Sequence, residues 1–112
     1  MKKIYRVTSN NDFGTVVHKG ITKRNGDFVV HAKENELGYT RVGISVSKRL
    51  GVAVVRNRIK RQVRAIIGDL VDFENSNSID IIIVVKDGFL KNSFESNKNS
   101  LRSLTNKFME RN

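Results

Sequence analysis

Residues 48 to 64, KRLGVAVVRNRIKRQVR, hold seven of the 21 lysines and arginines of this 112-residue chain and no acid. Guanidinium forks grip phosphate oxygens bidentately, and an asparagine amide can donate to a phosphate or sugar as well as accept. The chemistry offered is therefore recognition of a polyanion. The window supplies +7 of a formal net charge of +10, and the other 95 residues contribute only +3. General solubility is served by interspersed charges of both signs, so a field this concentrated points to a polyanionic partner.

Bond-making chemistry has much weaker support. Metal-dependent phosphodiester hydrolysis wants clustered carboxylates, and acid–base catalysis wants positioned histidines or their equivalents. Here the 11 acids are scattered from Asp12 to Glu110, and His18 and His31 are the only histidines. They form no catalytic motif. The absence of cysteine excludes a disulfide framework, a thiolate metal site and a cysteine nucleophile, and it suits a reducing cytoplasm. The polar residues after MKKIYRV do not make a signal-peptide core, and the longest apolar run, Ile81 to Val85, is far too short for a membrane span. A lipid surface is the weakest of the anionic partners, because Val and Ile, not Trp, Phe or Leu, lie opposite the basic face. Nucleic acid is favoured, and a soluble cytoplasmic protein is expected.

The elements that must position these residues follow from periodicity. Ser9 offers a capping oxygen with Asp12 three residues on, and Phe13, Val16 and Val17 follow at helical spacing, which predicts a helix over Ser9 to Lys19. Asp27 to Ala32 and Arg41 to Ser47 read as strands around the polar loop Lys33 to Gly38, with a further short strand admitted near Ile21 to Lys23. In the second strand Val42, Ile44 and Val46 share one face, while Arg41, Gly43, Ser45 and Ser47 make an opposite face free of bulk. Val52, Val55, Ile59, Val63 and Ile66 recur every three or four residues, so the basic stretch is a helix packed along one side. Gly68 or the DFENSNS stretch ends it. Ile79 to Val85 reads as a strand covered on both faces. Ser93 then caps a last helix with a stripe of Phe94, Leu101, Leu104, Thr105 and Phe108. The expectation is one RNA-binding domain over residues 1–112, an α/β (α+β) sandwich of order α-β-β-α-β-α with about three helices on a small mixed sheet.

On a helical wheel with Val55 at zero, the apolar series falls between about 0° and 80°, whereas Lys60, Arg64, Asn57 and Arg61 fall at about 140° to 240°. Arg56 and Arg58 flank that arc, and Lys48 and Arg49 arrive from the preceding loop. An ordinary solvated face would mix in acids to relieve repulsion between like charges at spacings of three and four. A DNA recognition helix would follow another helix through a short turn, and here a strand precedes it, so RNA is favoured over DNA.

The run from Arg41 to Arg64, RVGISVSKRLGVAVVRNRIKRQVR, closely resembles the signature of the bacterial ribonuclease P protein subunit family, including its Arg56-Asn57-Arg58 core. Looser similarity extends over the capped helix reaching Phe13, the His18-Lys19-Gly20 that follows, Phe28-Val29-Val30, and the strand Ile79 to Val85. The resemblance implies an α/β fold with an unusual left-handed βαβ crossover. It implies binding to a large catalytic RNA, which carries the active site and needs Mg²⁺, and cleavage of the 5′ leader from precursor tRNA by the complex. No catalytic residue, no firmly bound metal and no obligate protein partner are expected of the protein itself. Carried onto this chain, Lys48, Arg49, Arg56, Asn57, Arg58, Lys60, Arg61 and Arg64 face the RNA. Phe13 and Val17 of the first helix, Val29 and His31 of one strand, and Ser45 of the next line a cleft for the leader. Relatives commonly carry aromatic residues where Val17 and His31 stand, which weakens base stacking there. A ribosomal or general RNA-binding protein is the alternative, sharing the basic platform without needing the cleft.

Overall fold

The computed structural model describes residues 1–109. Helix α1, Asn10–Lys19, is followed by strands β1, Ile21–Arg24, β2, Phe28–Glu34, and β3, Arg41–Val46. Helix α2, Ala53–Leu70, leads to β4, Ile79–Val85, and to α3, Phe94–Met109. The four strands lie in the order β1-β2-β4-β3, with β1/β2 and β2/β4 antiparallel and β3/β4 parallel. A parallel pair needs a long crossover, and α2 is that crossover. The result is the α+β architecture expected, with the admitted short strand present as β1.

The sheet divides the apolar residues between its faces because side chains alternate along a strand. Phe28, Val30 and Ala32 of β2, Val42 of β3 and Ile81, Ile83 and Val85 of β4 join Ile59, Val63, Ile66 and Ile67 of α2 and Leu101 and Leu104 of α3 in the larger core cluster. On the other face Ile82 joins Val16 of α1 and Val7, with Phe13, Val17 and Val84 packed against them. The continuous apolar run of β4 is thus explained, since α2 and α3 cover one of its faces and α1 the other. Among the described residues no helix is long and apolar enough to cross a membrane.

Local chemistry sets the ends of the elements. Ser9 Oγ accepts from Asp12 N at 3.3 Å and caps α1, and Ser93 Oγ accepts from Ser96 N at 3.1 Å and caps α3. Gly51 stands at φ +148°, open to glycine, and a Cβ there would meet Val55 at 2.8 Å, so the turn into α2 requires this residue.

Four expectations need correction. Val52 does not join the core stripe: it is the extended N-cap of α2 and 71% exposed, because a wheel position has meaning only inside the helix. Of the two ends allowed for α2, Gly68 is not the one: the helix runs to Leu70, just before the DFENSNS stretch, with Ile66 and Ile67 fully buried, so packing outweighs the glycine. Strand β2 reaches Glu34, two residues into the expected loop, because Lys33 and Glu34 pair with Asp80 and Ile79. Phe94 is 42% exposed at the first position of α3, and the buried stripe begins with Asn97 and Leu101.

Candidate nucleic-acid interface

The basic cluster is mounted on two pieces of backbone. A short 3-10 turn, Lys48–Leu50, is capped by Ser47 Oγ, which accepts from Arg49 N at 3.1 Å, and it is anchored by buried Leu50. Lys48 and Arg49 therefore project outward, and Arg49 makes only an exposed pair with Asp87 at 3.3 Å. Such pairs contribute little and exchange readily for a better anion. Within α2, Asn57, Arg58 and Arg61 are exposed, and Arg56, Lys60 and Arg64 are half-buried. Exposure thus centres on Asn57, Arg61 and Arg58, at about 200° to 300° on the wheel, and the arc predicted from sequence is displaced toward Arg58. The reason is a second contact: α2 packs against the sheet through Ile59 and Val63, while Lys60 and Arg64 turn toward β3 and the N-terminal segment. Arg56 Nε donates to the Gly51 carbonyl at 3.2 Å and braces the turn before the helix. The one acid of α2, Asp69, sits in its last turn and pairs with Lys98 at 3.2 Å.

The residues expected to hold a leader are brought together on the opposite face of the sheet. Strand register aligns Thr22, His31, Ile82 and Gly43 in one row, and Arg24, Val29, Val84 and Ser45 in the next. Helix α1 covers the Ile82 and Gly43 end of the first row and leaves His31 half-buried and Thr22 exposed. The ring of Phe13 lies so close over Gly43 that a Cβ there would stand 2.7 Å from it, and Val16 packs with Ile82. The second row is left half-open, with Val29, Val84 and Ser45 half-buried and Arg24 exposed. This half-open row runs beside α1, where Val17, Phe13 and Val84 pack against one apolar cluster, and the chain leads from Ser45 directly into the Lys48–Leu50 turn. The bulk-free face of β3 therefore needs a correction: Gly43 makes room for Phe13, which leaves Ser45 half-buried and Ser47 exposed.

His31 Nδ1 lies 2.8 Å from Thr22 Oγ1, across the β1/β2 pair. Burial, and then the charge of Arg24, lowers its pKa below the ordinary histidine value. The ring is neutral at pH 7, a flat group suited to lying against a base. The wall above it is fixed by Arg41, whose Nε and Nη2 grip Asp80 Oδ1 and Oδ2 at 2.9 and 2.6 Å. Arg41 Nη2 also reaches Asp12 Oδ2 at 3.5 Å, tying the start of α1 to the sheet. Hydrogen bonding to Asp80 raises the Arg41 pKa above its ordinary value, so this clamp stays charged. The sequence singled out neither the clamp nor Arg6, whose side chain lines a cavity with Lys60 and Arg64.

Comparison with known proteins identifies the family. The family model described as Ribonuclease P matches residues 1–109. The chain belongs to the ribonuclease P protein family. A ribonuclease P protein component from Mesoplasma florum is 38% identical over 110 residues, spanning 98% of this chain and 100% of the relative. One from Bacillus cereus is 42% identical over 102 residues, spanning 90% of this chain and 88% of the relative. The solved structure of the Staphylococcus aureus RNase P protein superposes with a TM-score of 0.84 at 34% identity, covering 95% of this chain and 98% of that one. The chain is thus the protein subunit of ribonuclease P, a ribonucleoprotein endoribonuclease of tRNA processing, and its partner is ribonuclease P RNA.

Proposed function

We propose that this protein, acting as one RNA-binding domain in the cytoplasm, docks on ribonuclease P RNA through Lys48, Arg49, Arg56, Asn57, Arg58, Lys60, Arg61 and Arg64. The 5′ leader of precursor tRNA lies in the trough of Phe13, Val17, Val29, His31 and Ser45 on the other face of the sheet. One observation carries this reading: the basic arc and the half-open row lie on opposite faces of one sheet, joined by the turn Lys48–Leu50, so both can be occupied at once. The arc supplies salt-sensitive contacts to phosphates and the trough supplies aromatic and apolar contacts to unstacked bases.

Cleavage belongs to the RNA in this scheme, together with the Mg²⁺ ions it needs. Among the described residues no group of three or more His, Asp or Glu is placed to hold an ion, and Asp80 and Asp12 are engaged by Arg41. No step is therefore assigned to a protein-bound metal. The protein positions substrate and screens repulsion between two RNAs.

The test is cleavage of precursor tRNA at low Mg²⁺ by RNA alone, protein alone and both together. The protein alone is expected to cleave nothing, and its addition should lower the Mg²⁺ demand of the RNA and tighten precursor binding. Cleavage by rigorously purified protein would overturn the assignment of chemistry to RNA. No effect on the RNA's activity would favour a general RNA-binding role instead.

A further inference from the structure

A cavity of about 210 Å³ opens at the outer edge of β3, lined by Arg6, Lys60, Arg64, Val42, Gly43, Ile44 and the ring of Phe13, together with Met1, Val7 and Thr8. Its three charged lining residues are all cations. The position of Arg6 is fixed by backbone: Arg6 bridges Val42 across the edge of β3, and Val7 N donates to Val42 O at 3.1 Å. Lys60 and Arg64 are one helical turn apart on α2, a spacing at which like charges repel. Arg6 Nη2 donates to the Met1 carbonyl at 3.3 Å. Among the described residues the two buried side-chain nitrogens without a hydrogen-bond partner are Arg6 Nε and Arg64 Nε, and both residues line this cavity.

Buried donors are nearly always satisfied, and two unsatisfied guanidinium groups on residues that line one cationic cavity can each gain from reorienting toward a shared acceptor there. We infer that the cavity is a phosphate site, in which Arg6, Lys60 and Arg64 close around one phosphodiester of ribonuclease P RNA. A phosphate accepts from two guanidinium forks at once and relieves the repulsion between the three cations. The cavity holds several times the roughly 30 Å³ that one water occupies, which admits a phosphodiester group. The catalytic RNA is the source of this phosphate because two of the three cations belong to the docking helix. The inference rests on the docking reading and adds to it an N-terminal residue outside the basic signature.

The experiment measures affinity of the full chain for ribonuclease P RNA, without precursor, across a salt series for wild type, Arg6→Ala, Arg6→Lys, Arg64→Ala, the Arg6→Ala/Arg64→Ala double variant and Arg61→Ala. Arg6→Ala should lose roughly 10- to 100-fold in affinity, as loss of a charge-assisted contact does. Its log–log salt slope should flatten by up to about 0.7 to 0.9. The double variant should flatten the slope no further than one phosphate contact allows, because both residues share that phosphate. Arg6→Lys should restore the slope but not the full affinity. Wild-type affinity and slope in Arg6→Ala, with a weakened Arg61→Ala, would overturn the cavity while leaving the docking face intact. Unchanged binding in Arg61→Ala as well would sink the docking reading itself. Strictly additive slopes in the double variant, or an Arg6 effect that appears only with leader-bearing precursor, would also refute the assignment. Thermal unfolding of each variant identifies a loss of affinity caused by misfolding, which Arg6→Lys would then share.

Discussion

Gly43→Ala tests the link between fold and trough. Gly43 sits in the middle of β3, where its backbone is compatible with any residue, so an open site would gain about 0.4 to 1 kcal/mol from the restricted unfolded chain. The site is not open. The new methyl carbon would stand 2.7 Å from Ile82 Cδ1 and 2.7 and 3.2 Å from Phe13 Cε2 and Cδ2. Overpacking of this kind costs about 1 to 3 kcal/mol. The Ile82 methyl is fully buried beside Val16, so the half-buried Phe13 ring must give way, which places the cost in the middle of that range. Set against the unfolded-state gain, the net is a destabilisation of about 1 kcal/mol, or a urea midpoint lowered by roughly 0.3 to 1 M. Because the displaced ring is one wall of the trough and also lines the cavity of Arg6, Lys60 and Arg64, affinity for leader-bearing precursor should fall by more than affinity for ribonuclease P RNA alone. In a Phe13→Ala background the same substitution should become neutral or stabilising, a coupling visible in a double-mutant cycle. A Gly43→Ala protein more stable than wild type, with Phe13 intact, would refute the packing of α1 on β3.

His31→Ala should leave assembly with the RNA intact and reduce the preference for substrates that carry a leader, measured as the affinity ratio of leader-bearing to leaderless tRNA; equal discrimination removes His31 from the trough. The lowered His31 pKa also has a sign: the unfolded chain takes up this proton more readily, so the His31 contribution is neutral above the unfolded value of about 6.5 and destabilises as pH falls below it. Urea midpoints at pH 7.5 and 5.0 should therefore differ less in His31→Gln than in wild type, and a larger difference in the variant would contradict the burial of the ring. Asp80→Ala leaves the largely buried Arg41 with only the distant Asp12 and should lower stability by about 3 kcal/mol, near the lower end for a broken buried pair because Arg41 keeps some exposure. A loss below about 1 kcal/mol would show that the clamp does not hold α1.

Much of this layout was written in local spacing. Val55, Ile59, Val63 and Ile66 marked the side of α2 that faces the sheet, Ser9 and Ser93 marked two helix starts, and the Ile79–Val85 run marked the doubly covered strand. Those signals depend on neighbours a few residues away. Arg6 gave no such signal, because it meets Lys60 and Arg64 only through a bridge to Val42, 36 residues along the chain. The filling of Gly43 by Phe13 and the Asp12–Arg41–Asp80 clamp likewise depend on α1 crossing β3 and β4. The half-open row exists only because the strand order brings Arg24, Val29, Val84 and Ser45 together. Alternation in β3 suggested open space along its whole polar face, yet tertiary packing fills the space at Gly43 with the Phe13 ring.

The central claim is that two faces of one sheet hold two different RNAs. The chain has no cysteine, so Ser45→Cys and Asn57→Cys each create a single attachment point for a short photoreactive crosslinker. In the complex of protein, ribonuclease P RNA and precursor tRNA, the probe at position 45 should label leader nucleotides and the probe at position 57 should label ribonuclease P RNA. Labelling of ribonuclease P RNA from both positions, with the leader untouched, would contradict it.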